Sequence, residues 1–292
     1  MKSESQNRDW SYERHTRHEQ QITEAASLPT CYTAPHTVDN WRHLRLRQGL
    51  LPILECDPGA DWLTIGDGNY GSDAYYLNQH GAQAIATSLT DATLIAAAEK
   101  GFIREFRAEN AESISVSDQA TDYTLCKEAY HHFPRPAVAF YEMVRVSRKA
   151  VILIEPTDGH GRVLNRFKRW IKNKLRGDTE FEFEKCGNYI FRLSVREMEK
   201  MMIAMNCQTI AYQYFNDYYH ASYAEDNASP GSKGFFLTRV GIRLQDLLCR
   251  LRLMDWGLVT FIAFTGPVNE TLLSDLKSRG FHVKQLPRNP YL

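Results

Sequence analysis

An apolar run that stops at three closely spaced glycines constrains the fold of this chain more than any other stretch. The run Trp62–Ile65 leads within seven residues into a segment with helical spacing, 72–77, and the glycines between them are Gly66, Gly68 and Gly71. Such a pattern is typical of the first strand–turn–helix of an α/β sheet. Glycines allow positive φ and a close approach of ligand to backbone, and a helix start offers unpaired N–H groups. Alone, the motif fits a dinucleotide, another nucleoside cofactor or merely a tight turn.

The segments that follow predict an alternation of strands and helices. Further β-type runs occupy 83–88, 106–112, 121–126 and 150–156. The resulting order, βαβαβαβαβ over residues 61–155, predicts a doubly wound, largely parallel sheet with helices on both faces. In such sheets ligands bind beyond the carboxyl ends of the strands, which is where the glycines and the polar motifs fall.

Over residues 60–157 the chain resembles the class I S-adenosylmethionine-dependent methyltransferases in the order and spacing of its motifs. The resemblance rests on the glycine loop, on Asn110 and on the turn Tyr130–Pro134. It implies a Rossmann-like α/β fold with a mostly parallel seven-stranded sheet. The family's sheet finishes with an antiparallel pair of strands, for which 208–215 and 257–265 are the candidates here.

The resemblance also implies a division of the chain, in which residues 37–292 would form the methyltransferase domain. The polar, aperiodic residues 1–36 predict a flexible arm or lid before it, although a frayed terminus explains them as well. Residues 216–256 would be an insertion between the last two core strands, and we expect it to cap the acceptor pocket. The basic amphipathic helix predicted over 162–176 would suit an anionic or membrane-associated acceptor, although a charged, solvated face above a core helix explains it as well.

S-adenosylmethionine is the cofactor that the resemblance implies, with S-adenosylhomocysteine as product. The matching residues are Gly66, Asp67, Gly68 and Gly71 under the methionine and ribose, Ser88 and Leu89 after the second strand, Asn110 and Ala111 at the adenine, and Lys127 with Glu128 near the methionine moiety.

This sequence departs from the family pattern in the glycine loop and at the ribose position. Tyr70 displaces the third glycine by one, and Thr64 stands where an acid is common. Ser88 stands where the family carries an acid for both ribose hydroxyls, and a hydroxyl is a weaker partner than a carboxylate. The sequence therefore predicts looser binding, help from Asp91, or a different ligand. The same missing acid counts against NAD.

Two adjacent histidines are the leading catalytic candidates. Methyl transfer is an in-line displacement, in which the protein aligns the acceptor and removes a proton from an oxygen or nitrogen. His131 and His132 follow the fourth strand and titrate near neutral pH, although a structural role is an open alternative. Glu155 and His160 are further catalytic candidates on the acceptor side. No metal-ligand spacing is evident, yet these two with Asp158 could gather a cation.

The resemblance implies methyl transfer to an oxygen or nitrogen of a small-molecule or sugar acceptor, as in bacterial secondary-metabolite or polysaccharide biosynthesis. The departures at Thr64, Tyr70 and Ser88 leave open a non-catalytic binding or scaffold protein on the same fold. An affinity for the cofactor would distinguish these two alternatives.

Composition favours a cytoplasmic enzyme and argues against a nucleic-acid partner. The 35 basic residues balance 35 acidic ones, whereas nucleic-acid binders usually carry a basic excess. The amino terminus lacks an apolar signal segment and no run is long enough to span a bilayer, which leaves peripheral membrane contact open. Six cysteines without CxxC spacing indicate neither a zinc site nor a disulfide framework.

Overall fold

The computed structural model describes residues 28–159, 161–165, 167, 170–171, 183 and 189–291, together with residues 13, 16 and 17. Its centre is an eight-stranded sheet in the order β3-β2-β1-β4-β5-β7-β6-β8. The strands are β1 (Asp61–Ile65), β2 (Gln83–Ser88), β3 (Glu105–Ala108), β4 (Thr121–Lys127), β5 (Ser147–Pro156), β6 (Thr209–Phe215), β7 (Leu258–Phe264) and β8 (His282–Gln285). Strands β1–β5 pair in parallel, and β7, β6 and β8 continue the sheet with antiparallel pairs. The predicted doubly wound α/β class is confirmed.

The sheet has one strand more than the predicted seven. Residues 282–285, predicted as part of a short strand, pair with β6 from Thr209↔Gln285 to Tyr212↔His282. β8 thus covers the outer edge of β6, which would otherwise present unpaired backbone groups.

Helices cover both faces of the sheet. They are α1 (Thr30–Thr33), α2 (Val38–Leu46), α3 (Leu51–Cys56), α4 (Ser72–Gln79), α5 (Ala92–Glu99), α6 (Pro136–Val146), α7 (Val195–Ala204), α8 (Ala221–Ala224), α9 (Lys233–Arg250) and α10 (Glu270–Ser278). Apolar side chains of α3, α4, α5 and α10 join one buried cluster, and those of α6 and α7 join the other. The alternation along β1 supplies both clusters, since Trp62 faces the first and Leu63 the second.

The crossover between β3 and β4 corrects one prediction. The expected βαβαβαβαβ order requires a helix there, but residues 109–120, all of them described, contain none. Their sequence, with Ser113, Ser115 and Ser117 alternating with Ile114 and Val116, lacks a helical period. Serine side chains also compete for backbone hydrogen bonds, which favours turns over helices.

Helix α2 and the segment between β6 and β7 pack against each other. Thr37 caps α2 by accepting a hydrogen bond from Asn40 N at 3.3 Å. The backbone N–H of Val38 donates to Asp226 O at 2.8 Å, and the rings of Trp41 and Phe235 meet edge to face with centroids 4.9 Å apart. Residues 216–256, which contain α8 and α9, therefore lie beside the helix that precedes the sheet.

Some predicted segments lie largely outside the described residues. These are most of the arm 1–36 and most of the basic helix 162–176, including Lys168, Arg169 and Lys172. Within the part of the chain that the structure describes, no helix combines the length and apolarity that crossing a membrane requires.

Candidate active site

A cavity of about 310 Å³ lies at the carboxyl ends of the parallel strands. The loops that follow β1, β2, β3 and β4 form its walls, and His43 of α2 closes one side. Backbone or side chains of all the predicted cofactor-binding residues line it except Gly71. Parallel strands bring these loops to one edge because their carboxyl ends coincide.

Glycines of the first loop adopt positive φ at that edge, a conformation that other residues rarely adopt. Gly66 has φ of +73°, and a Cβ there would come within 2.6 Å of the Ala129 Cβ in the loop after β4. Gly71 has φ of +64° and precedes α4, so it shapes the loop from behind the cavity wall. Tyr70 also adopts positive φ, +54°. The Tyr32 hydroxyl of α1 donates to the carbonyl of Tyr70 at 2.9 Å, which ties residues before α2 to this loop.

The first loop carries its carboxylate on Asp67, whereas the family pattern has an acid at the position that Thr64 occupies here. Its Oδ1 accepts from Asp73 N at 3.1 Å, and its Oδ2 accepts from Ala74 N at 2.9 Å and from the Thr64 hydroxyl at 3.0 Å. The carboxylate therefore satisfies the open N–H groups at the start of α4. Burial, and then the negative charge of Asp73, raise the pKa of Asp67 to about 7.

Ser88 is buried at the end of β2, and Glu109, which pairs with it through the backbone, lines the cavity, whereas Asp91 does not. Asp91 is exposed and does not line the cavity. Glu109 N donates to Ser88 O at 2.8 Å, and a carboxylate oxygen of Glu109 accepts from Ser115 N at 3.0 Å. Asn110 Oδ1 accepts from Glu112 N at 2.9 Å, which leaves its second lone pair for a ligand donor.

A group of charges, buried except for Glu128, forms a charged end of the cavity. Arg47 Nε donates to Asp73 Oδ1 at 2.7 Å, and Lys127 Nζ lies 3.8 Å from the same oxygen and 3.0 Å from Glu128 Oε2. Lys127 lowers the pKa of Glu128 to about 2. Burial alone would lower the pKa of Lys127, but Asp73 and Glu128 raise it. Both groups are therefore charged at neutral pH.

His43 faces this charged end from α2. Burial, and then the positive charges of Lys127 and Arg47, lower the pKa of His43 to about 4. Its Nε2 lies 3.8 Å from Asp39 Oδ2, one helical turn earlier. The imidazole is consequently neutral at pH 7, and its surroundings oppose its protonation.

The two adjacent histidines occupy different positions. His132 lines the cavity. His131 is turned behind the wall, with Nδ1 2.6 Å from Glu155 Oε2. Glu155 is completely buried, and its Oε1 accepts from Ala129 N at 2.9 Å and Tyr130 N at 3.0 Å. Glu155 thus holds the turn that carries His132 and lies out of reach of the cavity.

The remaining acceptor-side candidate, His160, lies outside the described residues. Among the described residues, no group of three or more His, Cys, Asp or Glu side chains is placed to hold a metal ion.

Two residues that line the cavity, His43 and Glu109, were not predicted from the sequence. Glu109 directly precedes Asn110, so its place at a strand end was a usable signal, whereas His43 reaches the site only through the packing of α2.

The donor set fits a nucleoside cofactor with an amino-acid tail. Lys127 and the carboxylates beside it suit a zwitterionic tail, while Glu109 and Asn110 offer acceptors to ribose hydroxyls or an adenine amino group. The fold is that of the class I S-adenosylmethionine-dependent methyltransferases.

Comparisons with known proteins agree with that class. Residues 63–154 match the family described as "Methyltransferase domain", and the protein is an S-adenosylmethionine-dependent methyltransferase. The YcgJ protein of Bacillus subtilis is similar in structure, with 20% identity and a TM-score of 0.50, over 77% of this chain and 100% of that one. A methyltransferase from Archaeoglobus fulgidus shares 14% identity at a TM-score of 0.50, over 76% and 94%. Both likenesses concern the fold. No curated protein matches the sequence significantly.

Proposed function

We propose that the protein transfers a methyl group to an oxygen or nitrogen of a small-molecule or sugar acceptor, as in secondary-metabolite or polysaccharide biosynthesis. The observation that carries this proposal is the presence of an imidazole, that of His132, in the wall of the cofactor cavity. Oxygen and nitrogen acceptors lose a proton during methylation, and neutral imidazole is suited to receive it.

S-adenosylmethionine, when bound, supplies an activated methyl group. Gly66, Asp67, Gly68, Ser88, Leu89, Asn110, Ala111 and Lys127 are our proposed binding residues, with Gly71 shaping the loop and Glu109 added. The chain's remaining tasks are to orient the acceptor, exclude water and remove the proton. We assign proton removal to His132, because it lines the cavity. The buried pair His131–Glu155 positions it by fixing the turn on which it lies.

The acceptor pocket would be completed by α2 and residues 216–256. Arg42 of α2 is bonded to Asp217 at the start of that segment, with Nε 3.1 Å from Oδ1. This contact supports a cap that belongs to the domain 37–292 and lies beside the same cavity wall as His43.

Calorimetric titration with S-adenosylmethionine and S-adenosylhomocysteine, with NADH as control, tests the cofactor assignment. We expect both sulfur ligands to bind and NADH not to bind. Release of S-adenosylhomocysteine in the presence of nucleotide sugars, small hydroxylated compounds and amines then tests the acceptor class. A folded protein that binds neither sulfur ligand would contradict the proposal.

His132→Ala tests the proton acceptor once an acceptor substrate is found. We expect kcat to fall by about 10²–10⁴-fold, with little change in cofactor affinity. His282→Ala, at an exposed position on β8, is the matched control and should keep its activity. An unchanged kcat in His132→Ala would remove His132 from that role.

A further inference from the structure

Helix α9 is apolar on two opposite faces. Its inner face is buried through Phe235, Thr238, Ile242 and Cys249. A second stripe remains exposed, formed by Phe236 (60% exposed), Val240 (42%), Leu244 (54%), Leu247 (52%) and Leu251 (58%) just beyond the helix end. At 100° per residue these five positions fall within one narrow sector of the helix surface. An apolar stripe of this length on a surface helix marks an interaction site rather than scattered exposure.

Positive charges border the stripe. Helix α9 carries Lys233, Arg239, Arg243 and Arg250 against the single acid Asp246. Helical geometry places the three arginines together along one flank of the apolar sector. A helix with bulky apolar residues on one side and basic residues beside them is suited to the interface of an anionic lipid bilayer.

A neighbouring segment extends the same surface. Val163 is 72% exposed and Phe167 55%. The segment is anchored at the carboxyl end of α9, where Leu164 N donates to Leu253 O at 3.1 Å and Arg162 N donates to Asp255 Oδ2 at 2.9 Å. The sequence of residues 162–176 contains seven Lys and Arg residues and no acid, a composition that suits an anionic partner.

We propose that the outer stripe of α9, together with Val163 and Phe167, binds an anionic lipid surface. The arginine flank favours this partner over a second copy of the chain, because symmetric antiparallel pairing of two α9 helices would bring the same basic flanks together. The surface lies near the cavity edge of the sheet, since α9 leads into β7, whose first residue, Leu258, pairs with Pro156 at the carboxyl end of β5. Docking there would bring the cavity edge toward the bilayer. We therefore expect an acceptor that carries an apolar group anchored in the bilayer. This expectation about the acceptor is the one part of the inference that rests on the proposed function.

Sedimentation of the full chain with vesicles, without cofactor or acceptor, tests the proposal. We expect binding to phosphatidylcholine vesicles that contain phosphatidylglycerol, little binding to phosphatidylcholine alone, and weaker binding at high salt. The double variant Leu244→Ser/Leu247→Ser should lose affinity by about tenfold or more, because it removes apolar insertion. Arg243→Gln/Arg250→Gln should lose the preference for the anionic lipid.

The control is Ile95→Ser/Val138→Ser, which removes two exposed apolar side chains away from α9 and should bind like the unaltered protein. Circular dichroism and light scattering of each variant report folding and oligomeric state. The proposal is overturned if anionic vesicles do not bind the protein, or if the Leu244/Leu247 variant binds them undiminished. It is also overturned if the stripe instead holds together a dimer that this variant dissociates. Cofactor titration is independent of all these outcomes, so failure here leaves the transfer reaction standing.

Discussion

Asp67 and Thr64 show how one residue can take over a task that a family pattern gives to another position. The family often places an acid two residues before the first glycine, and here that residue is Thr64. The Thr64 hydroxyl donates to Asp67, whose carboxylate accepts the N–H groups that open α4. The loop is therefore shaped by an acid that lies within it. The departure at Thr64 does not leave the start of α4 without an acceptor.

His43 gives a prediction about stability and pH. Its pKa is lowered from 6.5 to about 4, so the native state binds fewer protons than the unfolded state between those values, and stability falls as pH falls through this window. Lys127 and Arg47 oppose the imidazolium form there, while Asp39 and Glu128 favour it. His43→Gln should remove this part of the pH dependence, on the order of 2 kcal/mol between about pH 7.5 and 4.5.

Urea unfolding at the two pH values measures that difference. His282→Gln, at an exposed position on β8, provides the control for the loss of one histidine. If His43→Gln shows the same pH dependence as the unaltered protein, the imidazole is not held neutral by its surroundings.

At the scale of elements, the loops after β1 and β4 meet at Gly66. Alanine at this position would have both an unfavourable φ of +73° and a Cβ 2.6 Å from that of Ala129. Gly101 has nearly the same φ, +74°, but a Cβ there would meet nothing within 4 Å. Gly101→Ala should therefore cost about 1–2 kcal/mol of stability from backbone strain alone.

Gly66→Ala should cost more, about 2–4 kcal/mol, because the two loops must separate to accommodate the methyl group. The same separation should weaken S-adenosylmethionine binding by tenfold or more, whereas Gly101→Ala should leave it nearly unchanged. Thermal unfolding and calorimetric titration of both variants measure the two effects. Equal effects in the two variants would show that contact between the loops is unimportant.

The sequence predicted the elements whose pattern is local. Strands β1, β2, β4 and β5 are short apolar runs, and the ends of β1, β2 and β4 lead into residues that line the cavity. The missing helix between β3 and β4 reflects a serine-rich stretch that lacks the helical period. The place of His43 was not predictable, since it depends on how α2 packs against the loops, which involves contacts remote in sequence.

At the scale of the whole molecule, a buried ion pair connects two segments that are far apart in the sequence. Arg42 of α2 and Asp217, which follows β6, are separated by 175 positions. The side chain of Arg42 is 9% exposed and that of Asp217 12%. Arg42 also pairs with Asp39 at 3.0 Å and stacks over the Tyr219 ring at 4.7 Å. The pair therefore joins α2, whose His43 lines the cavity, to the segment between β6 and β7.

Removing either partner should weaken the contact between α2 and the segment that follows β6. Asp217→Ala leaves the buried Arg42 guanidinium with Asp39 as its carboxylate partner among the described residues, and we expect a loss of about 3 kcal/mol. Combined with Arg42→Ala in a double-mutant cycle, the pair should show a coupling of about 2 kcal/mol. Urea unfolding of the single and double variants measures it.

The pair Arg279–Glu55 is the matched comparison, because it also joins distant parts of the chain, 224 positions apart, but is exposed, at 35% and 56%. Its coupling should be about 0.5 kcal/mol, because water screens exposed charges. If the Arg42–Asp217 coupling were as small as that of the exposed pair, the insertion would be held by its apolar contacts alone. If the proposed cap orients the acceptor, Asp217→Ala should also raise the acceptor KM while cofactor affinity stays the same. If Asp217→Ala lowered the affinity for the cofactor as well as for the acceptor, the ion pair would stabilise the whole cavity and not the acceptor side alone.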